Sequence, residues 1–229
     1  MSQQVSRQAL SSPPAGAEQP VVLVVDDDLS VREGLSELLM SIGLNPICFA
    51  STNELLASGD LDRPGCLILD VRLPGASGLD LQQQLALGGQ RKSIIFLTGH
   101  GDIPMTVQAM KAGAVDFLTK PVRGQVLLDA VARAIERDVV DRAETLLARQ
   151  YAGRFETLTL RERQVMREVV KGRLNKQIAF DLGISEVTVK VHRGNVTRKM
   201  QARSVGDLIR AWEGLPPEHR DPARLDLTG

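Results

Sequence analysis

The stretch VVLVVDDDLSVREGLSELLMSIG, residues 21–43, holds a complete strand-then-helix unit. Val21–Val25 is an unbroken aliphatic run, the pattern of a strand buried on both faces. Three carboxylates, Asp26, Asp27 and Asp28, follow at once. Beyond them Val31, Leu35, Leu38, Leu39 and Ile42 recur at helical spacing from Leu29 to Ile42, and Gly43 stops the pattern.

The unit repeats along the next hundred residues. Asn45–Phe49, Cys66–Asp70, Ser93–Leu97 and Ala114–Leu118 read as strands. Helix-period segments at Thr52–Ser58, Leu79–Leu87, about Asp102–Ala112 and from Arg123 onward alternate with them. Five such units specify a parallel sheet joined by right-handed crossovers, with helices on both faces. The expected fold is a flavodoxin-like, doubly wound α/β domain of five parallel strands, over residues 20–137.

In open parallel sheets the working site lies at the carboxyl ends of the strands. Those ends carry Asp26, Asp27 and Asp28 after the first strand, Asp70 after the third, Thr98 after the fourth and Lys120 after the fifth. Each has a plain structural reading as well: Asp after a strand often caps the next helix, and Lys120-Pro121 can be a simple turn, whose X-Pro peptide bond is free to be cis or trans. Together they match in chemistry. Converging carboxylates repel one another unless a hard cation such as Mg²⁺ joins them, and Mg²⁺ keeps waters for an incoming phosphate. Asp70 is then a candidate nucleophile able to form an aspartyl-phosphate. Thr98 and Lys120 are placed to donate to phosphoryl oxygens.

The segments VVDDD (Val24–Asp28), LILDVRLPGASG (Leu67–Gly78), IIFLTGHGD (Ile94–Asp102) and DFLTKP (Asp116–Pro121) resemble the receiver domain of bacterial response regulators. That resemblance implies Asp70 as phosphoacceptor and a sensor histidine kinase as phosphodonor. It implies Mg²⁺ held by Asp26, Asp27, Asp70 and the backbone carbonyl of Arg72. Thr98 becomes the switch hydroxyl, Lys120 the phosphoryl partner and Phe117 the switch aromatic. Ser77 departs from the aspartate that many receivers carry there, at a point away from the chemistry. Arg72 and His100 lie near where attacking water would enter and are expected to tune the phosphate's lifetime. His100 reads equally as an ordinary exposed loop histidine.

The chain is electrically neutral overall, with 28 Lys and Arg against 28 Asp and Glu. Residues 20–140 hold 10 basic against 15 acidic side chains, a net of −5. Residues 154–213 hold 13 against 7, a net of +6. Such asymmetry suggests nucleic-acid contact by the second part. Residues 138–154 continue the helical pattern as a linker, and residues 155–215 show four helical segments without a strand. Within them Ala179, Gly183 and Val189 have the spacing of a helix-turn-helix: a small residue at the crossing, a glycine for positive φ in the turn, and a core valine. Ser185 is a good N-cap for the second helix. There Val189, Val196 and Met200 share the inward face.

The opposite face is the candidate DNA surface: Lys190, Val191, Gly194 and Arg198, with Arg193 at its border and Thr188 and Lys199 at its ends. Lys and Arg can reach guanine edges or phosphates, and Val191 can touch a thymine methyl. A solvated basic face on a packed helix is the plain alternative. His192 reads as a packing or capping residue.

Leu158–Met200 is similar to the LuxR-type four-helix DNA-binding domain, and its order after a receiver is that of the NarL/FixJ family. VTVKVHRGNVTRKM (Val187–Met200) is most similar to the FixJ branch and to regulators of aromatic-compound degradation. This implies double-stranded promoter DNA as a partner, RNA polymerase as a further one, and a phosphorylation-promoted homodimer formed through the fourth helix and fifth strand, about residues 102–118. The expected function is a phosphorylation-dependent DNA-binding transcriptional regulator, not an enzyme. Two alternatives are weighed against it. One is a DNA-binding regulator indifferent to phosphorylation. The other is a haloacid-dehalogenase-type phosphatase, which the loose D-x-D-x-[ST] reading of Asp26–Ser30 permits; the absence of a cap insertion counts against it.

Residues 1–19, rich in Ser, Gln, Pro and Ala, read as a disordered lead-in and not a signal peptide, and residues 216–229 as a frayed tail. Cys48 and Cys66, each in an apolar run with no C-x-x-C, read as buried reduced thiols. No run approaches the roughly 20 apolar residues of a membrane helix, so a soluble cytoplasmic protein is expected.

Overall fold

The computed structural model describes residues 18–99 and 103–220. Most of the N-terminal lead-in, His100 and the end of the C-terminal tail lie outside the described residues. The chain divides into two compact units, Met1–Asp141 and Arg142–Gly229.

The first unit is a five-stranded sheet in the order β2-β1-β3-β4-β5. The strands are β1 (Val21–Val25), β2 (Asn45–Phe49), β3 (Gly65–Leu69), β4 (Ser93–Thr98) and β5 (Asp116–Thr119). Every neighbouring pair is parallel. The helices are α1 (Leu29–Met40), α2 (Thr52–Ser58), α3 (Gly78–Leu87), α4 (Ile103–Lys111) and α5 (Gly124–Glu156). The period-two alternation of a strand sorts the core into two layers. Leu23, Val25, Leu67, Leu69 and Phe96 face α2, α3 and α4 through Leu55, Leu81, Leu85 and Ala109. Val22, Val24, Ile68, Ile95 and Leu97 face α1 and α5 through Leu35, Leu39, Leu127, Ala130 and Val131. Each buried Leu or Val contributes about 1.5–3 kcal/mol. The doubly wound expectation therefore holds.

Two features differ from expectation. The fifth strand begins at Asp116 and not at Ala114, because Ala114 is used to close the end of α4, donating its amide to the Ala109 carbonyl at 3.0 Å. Cys48 is exposed while Cys66 is buried. The correction follows from sheet order: β2 is an edge strand, so only part of its apolar run is covered.

The second unit contains α6 (Leu160–Val170), α7 (Asn175–Leu182), α8 (Glu186–Lys199), α9 (Val205–Glu213) and a single turn, α10 (Pro217–Arg220). Its core joins Val165, Met166, Ile178, Val189, Val196, Met200 and Leu208 with Phe155 from the end of α5. The tail expected to fray is thus helical through Arg220, and His219 rests edge-on against Phe155 at 5.9 Å. Gly183 closes α7 at φ 64°, a left-handed turn for which glycine carries no steric cost. Ser185 then caps α8 by accepting from the Thr188 amide.

Candidate functional site

Register brings the acidic rim together. Val25 pairs with Leu69, so the next residues, Asp26 and Asp70, emerge side by side. The Asp70 amide donates to the Val25 carbonyl at 2.9 Å, and the Lys120 amide to the Thr98 carbonyl at 2.8 Å. The ladder thus fixes the backbone of all four strand ends. Gly78 is required behind Asp70: a Cβ there would lie 2.3 Å from the Asp70 carbonyl oxygen.

Asp26 and Asp70 are buried, whereas Asp27 is exposed. One oxygen from each lies within 4.8 Å of the others. At that separation each like-charged pair costs about 3.5 kcal/mol at an effective dielectric of about 20. Lys120 offsets part of this, reaching Asp26 Oδ2 at 2.5 Å and Asp70 Oδ2 at 2.7 Å. Three carboxylates and one ammonium leave two negative charges. A divalent cation with oxygen ligands matches them in charge and donor type.

Burial holds the Asp26 carboxyl above the usual aspartate range, although Lys120 and the Asp28 amide oppose it. Burial works against the Lys120 charge, but its hydrogen bonds to Asp26 and Asp70 outweigh that and hold its pKa above the ordinary lysine value. Asp70 Oδ1 accepts from the Arg72 amide at 3.0 Å. Its carboxylate is therefore oriented at both oxygens.

The third carboxylate of the run has a separate task. Asp28 caps α1, accepting from the Ser30 amide at 2.8 Å and the Val31 amide at 3.4 Å. That use leaves the D-x-D-x-[ST] reading without its second catalytic acid. Thr98 is buried at the tip of β4. Phe117 is half-buried, its ring 6.0 Å from that of Phe96. The Lys120–Pro121 peptide is cis.

Arg32 escaped the sequence reading. From the first turn of α1, its Nη1 donates to the Asp26 carbonyl at 2.7 Å. An arginine in a helix that faces its own preceding loop gives no signal in sequence, because nothing local says which way the guanidinium folds.

In the second unit α8 turns Val189 and Val196 inward and exposes Lys190, Val191, Gly194 and Arg198. Three expected contact residues are already engaged. Arg193 donates to Asn175 Oδ1 on α7 at 2.6 Å. The Thr188 hydroxyl meets that of Ser185 at 2.8 Å. Lys199 differs most from expectation: its ammonium binds the buried Glu162 at 2.6 Å and the Thr157 carbonyl at 3.0 Å. It sits at the inner edge of α8, where the helix crosses α6. Val187, absent from the expected set, is 70% exposed.

Residues 22–132 match the family described as response regulator receiver domain, and residues 156–212 match bacterial regulatory proteins of the LuxR family. The chain belongs to the two-component response regulators that join a receiver to a LuxR-type DNA-binding domain. Among its relatives, Nodulation protein W of Bradyrhizobium diazoefficiens is 51% identical over 207 residues, 90% of this chain and 91% of that one. Response regulator protein TodT of Pseudomonas putida is 49% identical over 195 residues, 85% and 86% of the two chains. The Transcriptional regulatory protein FixJ of Rhizobium meliloti is 44% identical over 191 residues, 82% and 93% of the two chains. The solved structure of the response regulator StyR aligns with TM-score 0.70 and 46% identity, over 86% of this chain and 99% of that one. The expected likeness to the FixJ branch extends through both domains. None of the helices among the described residues is long and apolar enough to cross a membrane.

Proposed function

We propose that phosphorylation of Asp70 controls binding of the α8 face to promoter DNA. The observation that carries this reading is the Asp26–Asp27–Asp70 cluster with Lys120 bridging its two buried members. A sensor histidine kinase presents a phosphohistidine. An Asp70 carboxylate oxygen attacks phosphorus in line, the phosphorus–nitrogen bond breaks, and the neutral imidazole leaves with the bonding pair. Asp26, Asp27, Asp70 and the Arg72 carbonyl would hold Mg²⁺, which neutralises charge on the transferring group when bound. Lys120 donates to one phosphoryl oxygen and Thr98 to another. The shift of Thr98 toward the phosphoryl group opens space that Phe117 fills, and the surface of α4 and β5 is repacked for pairing with a second copy.

On DNA, α8 enters the major groove. Lys190 and Arg198 take phosphates or guanine edges, Val191 faces bases, and Gly194 allows close approach. Thr188 and Arg193 orient the helix through Ser185 and Asn175, and Lys199 locks it to α6. A protein of this kind works in the cytoplasm beside its DNA, with RNA polymerase as its downstream partner. The phosphatase reading is set aside, since Asp28 is committed to capping α1.

The test is anisotropy titration of labelled promoter fragments with and without acetyl phosphate and Mg²⁺. Affinity for specific DNA should tighten at least tenfold on treatment. Equal specific affinity in both states contradicts the switch and favours a regulator indifferent to phosphorylation.

A further inference from the structure

The outer face of α8 carries two exposed valines beside the exposed Lys190. Val187 and Val191 are 70% and 58% exposed. A Cβ at Gly194 would meet nothing within 4 Å. These three positions fall at i, i+4 and i+7, hence on one line along the helix. Among the polar residues nearby, Thr188 is bonded to Ser185, Arg193 to Asn175, and Lys199 to Glu162. Arg198 stands at the far end of α8, where it contacts Asn195 at 3.4 Å.

Two exposed β-branched side chains add nothing to the propensity of the helix itself, and together they offer a partner an apolar contact. Lys190 lies between them in sequence, and the unit carries net positive charge, which suits a polyanion better than another copy of the same basic surface. In the major groove the one apolar group on a base edge is the thymine 5-methyl. The amino-terminal residues of a recognition helix are also those that reach base edges, and Val187 lies in the first turn of α8.

Resting on the reading of α8 as the groove-entering helix, we infer that Val187 and Val191 form a paired thymine-methyl reader. The target half-site is duplex DNA in which these valines read two thymine methyls, beside the contacts that Lys190 and Arg198 make. Four residues advance the helix by about 6 Å, close to two base-pair steps of roughly 3.4 Å. The two thymines therefore lie about two steps apart, on either strand. Bare Gly194 lets the backbone come close enough for both valines to touch.

The experiment starts from a random-sequence duplex library and the full-length protein treated with acetyl phosphate and Mg²⁺. The enriched duplex is then remade with deoxyuridine in place of each thymine in turn, which removes only the methyl. Two positions per half-site should weaken binding about fourfold each, the worth of one buried methyl group. Val187→Ala and Val191→Ala should each make binding indifferent to one of those methyls, and exposed positions allow both variants to fold. Enrichment of one sequence with no sensitivity to deoxyuridine overturns the thymine reader while leaving α8 as a DNA-binding helix. Enrichment of no sequence overturns both.

Discussion

At the scale of single residues, the acidic pocket is an arrangement of unequal carboxylates. Asp26 and Asp70 are buried and share Lys120, Asp27 is exposed, and Asp28 serves the backbone of α1. Four strand-end residues were legible in sequence because a parallel sheet always presents its carboxyl ends together. Arg32 was not, since its bond to the Asp26 carbonyl depends on how α1 leans over the loop. Arg32→Ala should leave the fold intact and slow phosphorylation several-fold by loosening the loop that carries Asp26 and Asp27. Single-turnover labelling by acetyl phosphate checks this, and an unchanged rate assigns Arg32 to the surface alone.

Glu168 gives a second residue-scale prediction. Burial opposes its charge, but Lys171, Arg173 and Arg167 hold its carboxyl below the ordinary 4.5. A folded-state value below the unfolded one adds stability that is full above the unfolded value. That contribution is lost as pH falls through the lower folded value. Glu168→Gln should therefore destabilise the second unit by about 1.5–3 kcal/mol near pH 7, the worth of a hydrogen bond to a charged group. The difference from wild type should vanish progressively below about pH 4.5 in thermal melts. A difference that persists unchanged at pH 3 would show that the charge is not its source.

At the scale of elements, periodicity predicts β1, β2 and α2 to the residue and most other ends to within two. What periodicity does not hold is tertiary exposure. Cys48, like Cys66, sits among apolar neighbours, yet edge position exposes one and central position buries the other. Lys199 reads as a basic residue at the end of a recognition helix, yet the crossing of α8 over α6 brings it to Glu162, 37 positions earlier. Gln82, in α3, is buried and donates to the Ala109 carbonyl of α4 at 3.1 Å, a tie invisible in either helix alone. Lys199→Met leaves Glu162 buried without its cation. It should cost about 3–5 kcal/mol of stability by chemical denaturation, with DNA affinity at low temperature changed much less. The reverse pattern would return Lys199 to the DNA surface. Gly78→Ala forces a methyl against the Asp70 carbonyl. It should cost about 1–3 kcal/mol and abolish labelling of Asp70 even where the chain remains folded by circular dichroism.

At the scale of the whole molecule, neutrality conceals an acidic receiver and a basic DNA-binding unit, each with its own hydrophobic core. Phosphate contacts by the basic unit release counterions, so affinity should fall steeply with salt. Lys190→Ala should reduce the slope of log affinity against log salt by about one, through loss of a single phosphate contact. The account stands on Asp70 as the phosphoacceptor, and intact mass measurement tests that most directly. Wild type and Asp70→Asn are incubated with acetyl phosphate and Mg²⁺, beside a sample containing chelator. One phosphoryl group should appear on the wild type, and none on the variant or in the chelated sample. An unmodified wild type, or an equal adduct on the variant, would contradict the assignment.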